Sequence, residues 1–483
     1  MKVLLVNAPP LKKLGVIGQM YPPLGILYLA AYARKYLKDL KIRVIDGYQE
    51  DSRTLVEKIR KFDPEVLGVS FTTPASTGAY NIINAVKQEN NTIYVVAGGA
   101  HATALPEEVL ERSKTDMVVI GEGEISFFEI LEHISEDKET NSVLGTMLWE
   151  NGRIKRNPPR PLIKDLDTIP FPARDLLDIQ KYPGYYYKKK RKDTSLISSR
   201  GCPYNCIFCS NPVWKHQKPW FRLRSPQNVV DEMEHISKEF GIEEFYDETD
   251  EFNANKRWAK ELCEEIIERR LNISWKAQMR ADNMDDELAE KMARSGFWLG
   301  FFGVESGNDR TLRGINKKIT TVQNETSLSI LKRHNIKAYA LFMAFNIWEE
   351  DGRLKYEGKK DTMNTLQFAL RLVKEKKIDL MSWSLTTPYP GSKLYNLALQ
   401  YNLIPEEIIG RWEQWDSSAN FVVKLPGINK RDWIEIQNKG KRIQLQLLFT
   451  SRTFNLRAFP LYFKRGLQQL KNTMKIRNDP TSG

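Results

Sequence analysis

Three thiols, Cys202, Cys206 and Cys209, stand in the stretch SSRGCPYNCIFCS at the spacing C-x3-C-x2-C. A structural zinc site takes four ligands, usually as two pairs two to four residues apart. Here the nearest histidine, His216, is seven residues beyond Cys209, so such a site would be incomplete. A redox pair needs only C-x-x-C and leaves Cys202 unexplained. An iron–sulfur cube fits better: three thiolates take three irons, and the fourth iron stays open to a chelating small molecule. The fourth cysteine, Cys263, lies in WAKELCEEII at helical spacing with Leu262 and Ile266 and is expected to be a buried, inert thiol.

The composition limits where such chemistry takes place. A chain of 483 residues holds two or three domains. Four cysteines and no secretory signal argue for a reducing interior, hence a cytoplasmic location. No apolar run reaches the length of a membrane span. The net charge of +12 is concentrated: Lys430 to Arg477 carries twelve Lys or Arg against Asp432 and Glu435. Its Leu, Phe and Tyr residues interleave with these cations, a pattern suited to peripheral contact with a membrane surface, although a solvated helix face or a docking helix would look similar. Nothing resembles an RNA-binding module, and nucleic acid is not expected as a partner.

Two groups of elements must position the reactive residues. In residues 1–140, the runs KVLLVNA, KIRVIDG, EVLGVSF, IYVVAGG and MVVIGEG alternate with helical patterns. This is the signature of a doubly wound parallel sheet, whose ligands sit at the strand carboxyl ends. Those ends carry Asn7, Ser70, Thr72, Thr73, Gly98, Gly99, His101, Gly121, Glu122 and Gly123. Residues 141–192, rich in proline and charge, read as a linker. Residues 193–400 read as about six β/α units, a full or partial TIM-type barrel with its chemistry at the strand C-termini. Residues 401–483 form a basic, helical extension, and the overall class is α/β.

The cysteine motif after the first barrel strand, with Phe208 before its last cysteine, resembles the radical SAM superfamily. The resemblance implies a [4Fe–4S] cluster on Cys202, Cys206 and Cys209. It also implies S-adenosylmethionine (SAM) on the open iron, a 5′-deoxyadenosyl radical, and an electron donor such as ferredoxin or flavodoxin. In the same order follow FYDETDEFN with Asp247, Glu248 and Asp250, QMRAD with Gln278 and Arg280, GVESGND with Glu305 and Ser306, and TPYPGSKLY with Pro388 and Gly391. With Phe208, the first seven of these residues are the SAM contacts the resemblance implies. One departure is the stretch NIWEEDGRLKYEGKKDT, which replaces a short glycine-rich turn and is read as an element for substrate entry or docking.

GGAHATALPEEVL followed by MVVIGEGE is similar to the cobalamin-binding domain of one large radical SAM subgroup. It implies cobalamin contacts from Ser70, Thr72, Thr73, Gly98, Gly99, His101, Gly121, Glu122 and Gly123. The first loop, VNAPPLKKLGVIG, has no histidine to serve as lower cobalt ligand. His101 has the alternative of merely stabilising its own turn. The subgroup includes hopanoid methylases and archaeal lipid-modifying enzymes, so methyl transfer or bond formation on a lipid-like substrate is expected. The alternatives are a ring-closing enzyme without cobalamin, and a non-catalytic cobalamin or iron–sulfur sensor.

Overall fold

The structure, a computed structural model, describes residues 1–11, 20–50, 52–185, 187–215, 217–418 and 420–450. His216, most of the first loop and the tail beyond 450 lie outside the described residues.

The first sheet contains β1 (Lys2–Asn7), β2 (Lys41–Asp46), β3 (Val66–Ser70), β4 (Tyr94–Gly98), β5 (Met117–Val119), β6 (Thr146–Glu150) and β7 (Arg153–Arg156). Their order is β2-β1-β3-β4-β5-β6-β7, with β1 to β5 parallel and the last two antiparallel. Alternate residues of β1 feed opposite layers: Val3 and Leu5 pack with helix Leu24–Tyr36, while Leu4 and Val6 pack on the other face. A sheet buried on both faces needs such continuous aliphatic strands.

The stretch expected as a linker thus supplies two strands of this sheet. They are joined by Asn151-Gly152, whose φ values of 49° and 75° are those of a tight hairpin turn.

The second sheet begins with β8 (Asp193–Leu196). A two-residue ribbon, β9 (Ser199–Arg200) with β10 (Arg222–Leu223), follows β8. Next come β11 (Glu244–Asp247), β12 (Ser274–Met279), β13 (Phe297–Glu305) and β14 (Lys337–Ala344). The hairpin β15 (Ile347–Glu350) and β16 (Arg353–Tyr356) precedes β17 (Leu380–Leu385). The six main strands pair in parallel in chain order, an open, partial (β/α)6 barrel.

The charged stretch after β14 is therefore a hairpin and not an open loop. Its turn, Asp351-Gly352, also has two positive φ values, and its Trp348 is buried against Gly314. Helix Lys430–Thr450 lies on β17, with Gly440 so close to Trp383 that a Cβ would come within 2.2 Å of that ring.

Candidate active site

The cysteine loop leaves the barrel edge at the same level as the end of β11, because Leu196 pairs with Asp247. Later barrel loops hold it. Ile207 N–H donates to Ile315 O (3.1 Å), Leu394 N–H donates to Ile207 O (2.8 Å), and Asn316 Nδ2 donates to Asn205 O (2.7 Å). The Arg280 guanidinium lies 3.6 Å from the centre of the Tyr204 ring, and Asn283 Nδ2 donates to the Tyr204 hydroxyl at 2.5 Å. All three thiols are half-buried. Burial pushes Cys202 up to about 12 and Cys209 up to about 11, so iron binding has to displace their protons. Among the described residues no three His, Cys, Asp or Glu side chains are gathered as a mononuclear metal site would gather them. A cube asks for something different, one thiolate per iron. Phe208 is half-buried between the barrel core and the Trp348 cluster. Cys263 is fully buried in the helix-facing core.

The candidate SAM contacts separate into two sets. Glu248 and Asp250 line a cavity beside the cysteine loop. Burial raises Glu248 to about 7 and also raises Asp250. The others are engaged in the protein. Asp247 accepts from Ser198 N–H (3.1 Å), the Ser198 hydroxyl and Thr249 N–H (3.1 Å), which fixes the turn leading to the cysteines. Arg280 binds Asp282 (2.9 Å) and donates to Lys317 O (2.7 Å). Glu305, at φ 61°, accepts from Lys317 Nζ (3.1 Å). Ser306 is fully buried and donates to Glu357 (2.6 Å) in the turn after β16. Gln278 donates to the Tyr246 hydroxyl (3.1 Å), deeper in the barrel.

The candidate cobalamin contacts divide similarly. Ser70, Gly98, Gly99, Gly121, Glu122 and Gly123 line the same cavity as Glu248 and Asp250. At Gly99, with φ 95°, a Cβ would press to 2.8 Å from Phe71 O, so only glycine fits that turn. Thr72 is exposed and does not line the cavity; Thr73 and His101 point into the core. His101 is fully buried, with Nε2 3.0 Å from the Tyr80 hydroxyl, Nδ1 3.2 Å from Thr73 Oγ1 and its ring against Trp412. The ring is thus bonded to neighbouring elements, Tyr80, Thr73 and Trp412, and not to its own turn.

The cavity, about 310 Å³, lies between the two sheets. Its deep end is an apolar well of Leu5, Val96, Val119 and Phe127, with Gly25, Gly68 and Gly98 leaving the walls bare. Its other side is Ile197, Arg200, Gly201 and Trp214 from the barrel. Charge holds the two sides together. Glu122 takes two bonds from Arg222 (3.0 and 2.6 Å) and one from Arg200 (3.2 Å), and Glu124 takes another from Arg200 (2.5 Å).

Residues 13–131 match the family described as B12 binding domain, and residues 196–352 match the Radical SAM superfamily. An uncharacterized methyltransferase of Pyrococcus horikoshii is 34% identical over 409 residues, covering 84% of each chain. The chain belongs to the cobalamin-dependent radical SAM family. It is similar also to an anaerobic magnesium-protoporphyrin IX monomethyl ester cyclase of Rubrivivax gelatinosus, at 27% identity over 78% of this chain and 66% of that one. The structure of the cobalamin-dependent radical enzyme OxsB shares the fold, with a TM-score of 0.73 over 98% of this chain and 72% of that one, at 18% identity.

The residues of this radical SAM enzyme fit the groups its family uses. Three thiols without a fourth suit a cube with an open iron, and a well bared by three glycines suits a bulky organic cofactor. Sequence reasoning missed Gly25, Gly68, Arg200, Arg222 and Trp214. Their only signal was adjacency, Arg200 standing two residues before Cys202 and Gly25 following the Pro22-Pro23 turn.

Proposed function

We propose that this enzyme methylates an unactivated carbon of a lipid-like substrate. The observation that carries the reading is a cavity lined from both domains, with the bare glycine well on one side and Gly201, Glu248 and Asp250 on the other. When bound, the cluster, SAM and cobalamin supply an electron, a hydrogen-abstracting radical and a methyl carrier. The chain's residues bind and orient. Cys202, Cys206 and Cys209 hold the cluster. Glu248 and Asp250 offer carboxylates to the SAM ammonium. The well of Leu5, Val96 and Val119 takes the buried tail of cobalamin, with the Ser70 hydroxyl at its rim. Arg200 and Arg222 hold the two domain faces together and exclude water from between them. The first loop has no histidine and His101 is committed to Tyr80 and Thr73, so neither supplies a lower cobalt ligand.

The lipid-like substrate and peripheral membrane contact rest on the basic, aromatic tail, most of which lies outside the described residues. Among the described residues no helix is long and apolar enough to cross a membrane. The second reading is ring or bond closure, favoured by the resemblance to the cyclase.

The test is anaerobic reconstitution with SAM and cobalamin, reduction by flavodoxin or ferredoxin, and supply of a lipid extract from cells lacking the gene. We expect 5′-deoxyadenosine and a product carrying label from methyl-labelled SAM. Absence of 5′-deoxyadenosine sinks the radical reading, and an unlabelled product replaces methylation with bond closure.

A further inference from the structure

The five-residue helix Ala100–Ala104 joins two edges of the cofactor cavity. Gly98 O accepts from Phe71 N–H (3.3 Å), and Phe71 O accepts from His101 N–H (3.4 Å). Gly99 O accepts from Thr103 N–H (3.0 Å), and the Thr103 hydroxyl oxygen accepts from Gly121 N–H (3.1 Å). Gly98, Gly99 and Gly121 all line the cavity. One short helix therefore sets the loops after β4 and after β5 together.

Its sequence, AHATA, gives it little to hold on by. So short a helix is unstable by itself in water, and its geometry has to come from packing. Three of its side chains are single methyl groups, and Thr103 is spent on Gly121. His101 is its one large side chain. That ring is fully buried, with its nitrogens on Tyr80 and Thr73.

The cover over His101 comes from the far end of the chain. The buried Trp412 ring stands edge-on to the imidazole at 5.3 Å between centres. Trp412 Nε1 donates to Glu108 Oε1 (2.6 Å), and the same oxygen accepts from the Tyr80 hydroxyl (3.2 Å) and from Arg112 (3.0 Å). Arg112 donates also to Gly410 O (2.8 Å), and the Thr77 hydroxyl donates to Glu413 (3.1 Å). Residues 410–413 thus bridge helices Ser76–Glu89 and Pro106–Arg112 and close His101 between them. On its other side Trp412 belongs to the barrel core, where it packs against Trp415 at 4.9 Å.

Arg200 and Arg222 already join the domains through Glu122 and Glu124. The Trp412 contact falls instead on the helix that carries the glycine edges. In a buried network of this kind, loss of one member leaves the others without partners.

We propose that His101 and Trp412 are positioning residues of the cobalamin site. Trp412, bonded to Glu108, seals His101, and His101 holds helix Ala100–Ala104 so that Gly98, Gly99 and Gly121 stay open toward the cavity. The C-terminal extension is then part of the cofactor site, although none of its described residues lines the cavity. When the anchor is lost, affinity falls by the fraction of molecules that keep the competent arrangement. This inference rests on the assignment of the glycine well to cobalamin and deepens it.

The test titrates full-length apo-protein with hydroxocobalamin and reads the Kd from visible absorption. Iron and sulfide after reconstitution and the unfolding midpoint are measured beside it. Trp412→Ala is expected to raise the Kd at least about tenfold and to keep the full complement of iron and sulfide. Trp412→Phe keeps a ring on His101 without the bond to Glu108, and is expected to recover part of the affinity. His101→Ala should match Trp412→Ala, and the double variant should be no weaker than either, because both act through one helix. Ile436→Ala, a core truncation in helix Lys430–Thr450, should lose stability and keep its affinity. Unchanged affinity in Trp412→Ala, or an equal loss in Ile436→Ala, overturns the proposal. If Trp412→Ala does not fold, wild-type affinity in both Trp412→Phe and His101→Ala overturns it. Wild-type protein that binds no hydroxocobalamin overturns the cofactor assignment itself and the proposal with it, an outcome distinct from any variant effect.

Discussion

Arg200, two residues before the first cluster cysteine, crosses from the barrel to the other domain and places Nη2 2.5 Å from Glu124 Oε1. Both side chains are largely buried, at 18% and 6% exposure, so the pair works in a medium poorer than water. Removing one partner leaves the other charged and unpaired. Arg200→Met is expected to cost about 3 kcal/mol in denaturant unfolding. Glu124→Gln in that background should recover part of the loss. An unchanged midpoint in Arg200→Met would mean that the clamp is not what holds the domains.

The cysteines are expected to behave as two classes. Alanine at Cys202, Cys206 or Cys209 should leave the anaerobically reconstituted protein without bound iron and sulfide. Cys263→Ala should keep the full complement and lose only about 1 kcal/mol of stability, since that thiol is buried among apolar side chains. Iron and sulfide analysis decides, and a full cluster in Cys206→Ala would refute the assignment.

Gly25 offers a way to fill the well without breaking it. It lines the cavity, and a Cβ there would meet nothing within 4 Å. Gly25→Phe should fold normally and lose cobalamin affinity by about a hundredfold, about 2.7 kcal/mol. Gly99→Ala should instead lose stability, because its φ of 95° and the nearby Phe71 carbonyl penalise any side chain. Cobalamin retained at full affinity by Gly25→Phe would place the cofactor elsewhere.

Glu248 gives the apo protein a pH dependence of definite sign. Burial raises it from 4.5 to about 7, so between those values the folded state binds more protons than the unfolded one. Its contribution to stability is complete below about pH 4.5 and is lost as pH rises toward 7. Glu248→Gln should flatten that part of the apo stability curve. A curve identical to wild type over this range would show that Glu248 ionises freely.

Truncation separates the tail from the barrel. A deletion at residue 430 would strip helix Lys430–Thr450 from β17 and expose Trp383, so it cannot test membrane contact alone. Removal of residues 451–483 should leave the unfolding transition in place and abolish salt-sensitive binding to anionic vesicles. Undiminished vesicle binding would move the contact elsewhere.

Much of this protein was legible as local pattern. Aliphatic runs separated by helical periodicity specify a doubly wound sheet and a barrel, because each strand buried on both faces must be apolar along its length. Cys202, Cys206 and Cys209 declare a cluster site because their spacing lies within one loop. Asn151-Gly152 and Asp351-Gly352 were equally legible as hairpin turns, yet proline in one stretch and charge in the other concealed them. What remained hidden depends on residues far apart in the chain. Glu122 meets Arg222 across 100 positions, and Trp412 packs on His101. His101 carries the type and position of a ligand residue, but tertiary packing supplies its partners and closes it off. The sequence by itself determined the elements and the cluster motif, through interactions that are local. The tertiary structure alone decided which side chains face the cavity and which are consumed by the core, because that depends on strand register and on how the two sheets meet.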